Sequence, residues 1–139
     1  MRSKDRRRGF TLIELLVVMV ILGVLAAIVV PRFTGRSEDA RITAAKSDIA
    51  SITNAIKMFE IDNGRFPSTE EGLAALVQQP GDAAKWKGPY LDNGKLPADP
   101  WGRAYAYEFP GRHNSAGFDL YSLGPDGKEG SDDVTNWDK

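Results

Sequence analysis

Oxygen-bearing side chains that could bind a cation are concentrated near the C-terminus. Residues 123–134 of the 139-residue chain contain four acidic side chains and three glycines. Calcium accepts about six to eight oxygen ligands, backbone carbonyls included, and a glycine-rich backbone can turn to supply them. Asp132 and Asp133 are adjacent and would repel each other without a cation between them. The spacing does not match an EF-hand, so a cation site and a solvated acidic turn both stay open.

Glu14 is a second candidate for a functional role, because its ionisable side chain lies within an apolar segment. It is the only ionisable residue within residues 10–30, which are otherwise almost entirely apolar. A carboxylate inside a membrane segment costs a few kcal/mol, so a partner is expected. The obvious partner is an α-amino group. The alternative is that the Glu14 carboxylate reaches the lipid headgroups.

The apolar segment that carries Glu14 predicts a membrane-spanning helix over residues 10–31. About twenty residues at roughly 1.5 Å each match a hydrocarbon core of roughly 30 Å. Five basic residues precede it: Arg2, Lys4, Arg6, Arg7 and Arg8. Such residues favour the cytoplasmic side, so the C-terminal part should be exported. A conventional signal peptide and a plain uncleaved anchor are the alternatives, although residues 26–33 form a poor cleavage site for the former.

The rest of the chain predicts one amphipathic helix and a small sheet. Apolar residues recur at steps of three and four, as on one face of a helix: Ile42, Ala45, Ile49, Ile52, Ile56 and Phe59. Asn63 and Gly64 should end this helix. The alternating Tyr105, Tyr107 and Phe109 predict a strand, and residues 118–123 predict its antiparallel partner. A third short strand before or after this pair would complete the sheet, which should pack against the helix.

Composition argues against several functional classes. There is no cysteine, which excludes disulfides and thiolate metal sites. The one histidine, His113, falls in a predicted loop and is interpreted as a solvated residue. No nucleophile–base pair or phosphate-binding glycine loop is present, so the chain is not expected to be an enzyme. Nucleic-acid binding is not expected either, because the chain after its basic head carries more acidic than basic residues.

Residues 9–14, with the sequence GFTLIE after a basic head, resemble the leader of type IV pilins and type II secretion pseudopilins. The resemblance implies that a prepilin peptidase cleaves between Gly9 and Phe10 and that the new N-terminus, Phe10, is methylated. It identifies Glu14 as the acidic residue within the membrane segment, which could then pair with the Phe10 α-amino group of a neighbouring subunit during assembly. The chain would then comprise a cleaved leader (residues 1–9), a transmembrane and filament-core helix (10–31), and an amphipathic helix with a periplasmic head (32–139).

Residues 121–127, the acidic pair and the C-terminal Asn136-Trp137 resemble the major pseudopilins of type II secretion in particular. The resemblance implies an α+β, type IV pilin-like fold with a long N-terminal helix on a small antiparallel sheet. It also implies a C-terminal calcium loop. Its ligands would be the carboxylates of Asp126, Asp132 and Asp133 and the carbonyls of Leu123 and Ser131.

The function implied by this resemblance is structural. The subunit would polymerise into a helical homopolymer, the periplasmic pseudopilus, and help to export folded proteins. Its partners would be minor pseudopilins, the inner-membrane assembly platform and the prepilin peptidase. Before assembly it would be a single-pass inner-membrane protein with its C-terminal domain in the periplasm. The alternative is a type IV pilin or minor pilin used in adhesion, motility or DNA uptake, which the leader does not distinguish.

Overall fold

A computed structural model describes residues 9–138, without the side chains of residues 28–36. The basic head at residues 1–8 therefore lies outside the described residues. The chain divides into two compact units, Met1–Glu38 and Asp39–Lys139. The first long element is helix α1, Leu12–Asn63. After it come two 3-10 helices, Gly72–Leu76 and Asp92–Gly94, and strands β1 (Ala106–Glu108), β2 (Asp119–Ser122) and β3 (Val134–Thr135).

The described part of the first unit is almost entirely helical and has an apolar surface. Large apolar side chains between Phe10 and Leu25 are exposed, with Phe10 at 79% and Leu12 at 81% of their full accessibility. Within the described residues, no helix is both long enough and apolar enough to cross a membrane. The membrane-spanning segment over residues 10–31 stays a prediction.

The C-terminal half of α1 supplies the core of the second unit, as its periodicity predicts. Ala45, Ile49, Ile52, Ile56 and Phe59 are all buried, and Ile42 packs against them. The helix ends where expected. Gly64 adopts a left-handed conformation with a φ of 75°, and its N–H donates to the carbonyl of Glu60 at 2.7 Å. Glycine is favoured at this position because a side chain is disfavoured in that conformation.

The three strands form one antiparallel sheet in the order β1-β2-β3, with Tyr107 opposite Leu120 and Ser122 opposite Val134. The predicted third strand is therefore present and follows the other two. Asn136 extends the pairing beyond β3 through its side chain. Its Oδ1 accepts the Leu120 N–H at 3.0 Å, and its Nδ2 donates to the Phe118 carbonyl at 3.0 Å. Leu120 and Val134 join the core residues of α1 in one buried cluster.

A charged cluster fixes the chain between α1 and the first 3-10 helix. Ser68 and Glu71 form a reciprocal capping pair, since the Ser68 N–H donates to Glu71 Oε2 at 2.7 Å and the Glu71 N–H donates to Ser68 Oγ at 3.2 Å. The Arg65 guanidinium donates to both oxygens of Glu71 at 2.7 Å and to Asp82 at 2.6 Å. The element that follows is a 3-10 helix of five residues, a form typical of such short segments.

We predict that Glu71 makes folding stability dependent on acid pH. Hydrogen bonds from Arg65 lower the pKa of Glu71 to about 2, against an ordinary value of 4.5. A carboxyl with a lowered folded-state pKa stabilises the fold above its unfolded-state pKa, and this contribution is lost as the pH falls from about 4.5 towards 2. Urea unfolding of the full chain between pH 6 and pH 2 should show this loss.

Glu71→Gln should reduce the pH dependence in this range. Glu70→Gln, a neighbouring exposed position, should leave it as in the wild type. Equal slopes for wild type and Glu71→Gln would contradict the assignment.

Candidate functional site

The N-terminal motif forms a capping box at the start of α1. Thr11 precedes the first helical residue, and its Oγ1 accepts the Glu14 N–H at 3.3 Å. In return, the Thr11 N–H donates to Glu14 Oε2 at 3.5 Å. This reciprocal exchange satisfies two backbone donors that a helix terminus otherwise leaves open. Gly9 and Phe10 lie just before the helix and are exposed. Sequence reasoning did not predict this local role of Glu14.

The C-terminal acidic loop, residues 123–133, connects β2 to β3. The register places Ser122 opposite Val134, so Leu123 and Asp133 are the next residues beyond that pair and begin the two sides of the loop. Leu123 and Asp133 are half-buried, whereas Asp126, Ser131 and Asp132 are exposed. The sheet therefore brings two of the five predicted ligand residues to one place, and the loop itself must position the other three.

A network of hydrogen bonds fixes the first half of the loop. Asp99 is buried, with 4% exposure, and its Oδ2 accepts the hydroxyl of Ser122 at 2.6 Å. Ser122 Oγ in turn accepts the Gly124 N–H at 3.2 Å. Asp99 Oδ1 accepts the backbone N–H of Arg103 at 2.7 Å. The Arg103 guanidinium donates to the Gly124 carbonyl at 2.7 Å and to the Pro125 carbonyl at 3.5 Å.

The acidic side chains of the loop have less support and carry like charges. Asp126 Oδ1 accepts the Lys128 N–H at 2.8 Å, and Asp133 Oδ2 accepts the Gly130 N–H at 3.2 Å. The other oxygen of Asp133 is buried and has no hydrogen-bond partner among the described residues. Burial raises the pKa of Asp133 above its usual value, and the charges of Asp132, Asp126 and Glu129 raise it further.

The donor chemistry of the loop fits calcium. The predicted ligands offer only oxygen atoms, which calcium prefers, and the buried Asp133 oxygen has a free acceptor position. In the described part of the chain, however, no three His, Cys, Asp or Glu side chains are grouped closely enough to hold a metal ion. The Asp126, Asp132 and Asp133 carboxylates would therefore have to move closer together around a cation. Ser131, Asp132 and Asp133 also line a cleft of about 370 Å³.

Three supporting residues were not predicted from the sequence: Asp99, Arg103 and Asp119. Asp119 is 2% exposed and accepts the backbone N–H groups of His113 and Asn114 at 2.8 and 2.9 Å. Although burial alone would raise its pKa, these donors hold the pKa of Asp119 below its usual value. His113 is exposed, as predicted, yet its ring also stacks on Trp137 with centroids 4.0 Å apart. These contacts hold the connection between β1 and β2.

A capped N-terminal helix whose second half packs on a small antiparallel sheet is characteristic of pilin-like proteins. Residues 32–137 match the family described as Type II secretion system, protein G, and residues 4–30 match the prokaryotic N-terminal methylation motif. The chain therefore belongs to the protein G family of the type II secretion system and is a major pseudopilin, as its sequence predicts.

Individual relatives agree with this assignment. The type II secretion system core protein G of Pseudomonas aeruginosa is 50% identical, with 98% of this chain and 99% of the relative covered. That of Escherichia coli K12 is 47% identical over 99% of this chain and 95% of the relative. The crystal structure of the major pseudopilin from the type 2 secretion system of enterohaemorrhagic Escherichia coli matches with a TM-score of 0.66. It is 34% identical, and the match covers 74% of this chain and 87% of that chain.

We predict that Gly124→Ala destabilises the second unit through the loop. Gly124 has a φ of +63°, and an added Cβ would collide with the carbonyl oxygen of Asp132. The left-handed conformation alone costs an alanine about 1–2 kcal/mol, so unfolding in urea should show at least that loss. Gly81→Ala is the control, because nothing lies within 4 Å of a Cβ there, and it should change stability by less than about 0.5 kcal/mol. Equal stabilities for the two variants would contradict this account.

Proposed function

We propose that this pseudopilin is the repeating subunit of a periplasmic filament, assembled from the inner membrane, that helps type II secretion to export folded proteins. Its family membership and the exposed apolar segment between Phe10 and Leu25 support the proposal. An apolar surface of this size must be covered by lipid or by other protein. Copies of the same segment would cover it in a filament, where one surface meets a different surface of the next subunit.

Processing at the N-terminus is part of the proposal. A prepilin peptidase would cleave between Gly9 and Phe10 and methylate Phe10. The match of residues 4–30 to the methylation motif supports this step. Both residues are exposed and precede the first helical residue, so the peptide bond between them lies in accessible, non-helical backbone. Cleavage would create an α-amino group four residues before Glu14.

Glu14 would then have two roles, one within its own chain and one between chains. Within one chain, its carboxylate accepts the Thr11 N–H and so caps α1. Its negative charge would pair with the α-amino group of a neighbouring Phe10 during assembly. The attraction between opposite charges is much stronger inside a membrane than in water, because the surrounding medium neither solvates nor screens the charges.

We predict that Glu14→Gln lowers filament assembly without disturbing processing. Glutamine can keep the capping-box hydrogen bonds but has no charge to pair with the amine. Assembly can be measured as the fraction of subunit recovered in sheared, sedimentable filaments from secreting cells. The intact mass of each variant, compared with that of residues 10–139 plus one methyl group, reports processing. Wild-type assembly of Glu14→Gln would rule out the charge-pairing role.

Calcium binding by the C-terminal loop is the second part of the proposal. The carboxylates of Asp126, Asp132 and Asp133 and the carbonyls of Leu123 and Ser131 would hold the ion. A bound calcium would supply two positive charges to a loop in which the charges of Asp132, Asp126 and Glu129 act on Asp133. The Asp133 oxygen that has no hydrogen-bond partner among the described residues is the observation that most directly supports a cation at this position. In a chain without cysteine, such a site would tie the loop between β2 and β3 without a covalent link.

We predict that calcium raises the melting temperature of the full chain in detergent. A ligand that binds only the folded state, at a concentration 100 times its Kd, stabilises by about 2.7 kcal/mol. For a domain of about a hundred residues this corresponds to a shift of roughly 10–20 °C. Differential scanning calorimetry with calcium, with magnesium and with chelator would measure it.

Asp126→Asn is the informative variant for this measurement. Its amide oxygen can still accept the Lys128 N–H, but one ligand charge is lost, so the calcium-induced shift should shrink. Asp92→Asn, at an exposed position outside the loop, should keep the full shift. The absence of any shift in the metal-free wild type on adding calcium would refute the site.

A further inference from the structure

Arg103 places a positive charge and hydrogen-bond donors against the start of the acidic loop, at residues 124–125. The adjacent carboxylates, Asp132 and Asp133, lie at the other end of the loop. The Nη1 of Arg103 lies 2.7 Å from the Gly124 carbonyl oxygen, and its Nη2 lies 3.5 Å from that of Pro125. A guanidinium suits this position because its donors project in a fixed planar fork. The two bonds restrain consecutive carbonyl groups directly after Leu123, one of the proposed ligands.

Gly127 leaves room for the guanidinium beside the loop backbone. Gly127 has a φ of +72°, and a Cβ built there would fall 2.6 Å from Arg103 Cζ and 2.7 Å from its Nε. These separations are shorter than non-bonded contacts allow, so any side chain at position 127 would displace the guanidinium. The loop thus contacts Arg103 on both sides of Asp126, through residues 124–125 and through Gly127.

The backbone of Arg103 is itself held by a buried carboxylate. Asp99 Oδ1 accepts the Arg103 N–H at 2.7 Å, and the Asp99 N–H donates to the Arg103 carbonyl at 2.7 Å. The other Asp99 oxygen binds Ser122 at the end of β2, and Ser122 Oγ accepts the Gly124 N–H. Arg103 and the start of the loop are therefore fixed to one another by two separate routes.

We propose that Arg103 is a positioning residue that pre-organises the acidic loop for its cation. The proposal rests on the calcium site proposed above. Arg103 holds residues 124–127 in place, so that binding has to order only the remaining part of the loop. Ordering costs conformational entropy for each residue fixed, and a site that is partly ordered in advance binds more tightly. Arg103 does not ligate the ion, since a guanidinium has no acceptor atom.

Removal of the side chain distinguishes positioning from simple charge. If Arg103 acted only as a nearby positive charge, Arg103→Ala would strengthen calcium binding by removing repulsion. If Arg103 positions the loop, the same variant binds calcium more weakly, by the about 10- to 100-fold typical of lost outer-shell support around a metal. Isothermal titration of metal-free full-length protein in detergent with calcium chloride would measure the Kd.

Lys128→Ala is the matched control, because it removes a positive charge from the same loop. Among the described residues, Lys128 makes its hydrogen bond through the backbone N–H, to Asp126, and that bond survives the substitution. Its calcium affinity should equal or slightly exceed that of the wild type. Arg103→Lys keeps the charge without the planar fork and should also bind more weakly than the wild type. Wild-type or tighter binding by both Arg103 variants would overturn the proposal.

A second measurement decides the role of Arg103 even if no calcium binds. Hydrogen exchange of the metal-free proteins should show faster exchange in Arg103→Ala at the amides of Gly124 and Lys128, which donate to Ser122 at the end of β2 and to Asp126 within the loop. The amide of Asn136, which pairs with Leu120 in the sheet, should exchange as in the wild type. Unchanged loop protection would overturn the positioning role. A wild type that binds no calcium would instead refute the calcium site alone.

Discussion

Burial of one apolar face of α1 is the interaction on which the second unit depends. The strands contain only three, four and two residues, and a sheet this small is not stable without an apolar surface to pack on. Ile52, Ile56 and Phe59 provide that surface and are fully buried. Leu120 in β2 and Val134 in β3 complete the same cluster. The sheet, and every loop that it connects, is therefore held in place by the helix.

The geometry of the acidic loop depends on this packing, because the packing holds the strands that the loop connects. Pairing of β2 with β3 fixes both ends of the loop, and the polar network around Asp99 fixes its first half. Asp99 and Ser122 are buried, and each buried polar group would be costly without its partner. Their mutual hydrogen bond at 2.6 Å therefore stabilises the start of the loop. With no cysteine in the chain, non-covalent contacts of this kind are what can tie the C-terminal region to the sheet.

The sequence predicted the features that depend on local pattern. Helical periodicity located the buried face of α1, and alternating aromatics located β1, because both signals depend only on residue type and spacing. The acidic, glycine-rich composition marked the candidate site. Arg103 could not be found in this way, since it contacts Gly124 across 21 positions of sequence. Asp119 was missed for a similar reason: its role as an acceptor depends on how the chain turns back at residues 113–114, which neither periodicity nor composition specifies.

The two halves of the acidic loop differ in what holds them, and this difference bears on how a cation would act. The carbonyls of residues 124 and 125 accept hydrogen bonds from Arg103, whose backbone is held by Asp99, so their arrangement is determined by the fold. The positions of Asp132 and Asp133 are fixed by fewer contacts. The charges around Asp133 raise its pKa in addition to the effect of burial. A cation bound there would offset that repulsion. Because the start of the loop is already ordered, little of the binding free energy would be spent on ordering it. Most of that free energy would therefore stabilise the folded loop between β2 and β3.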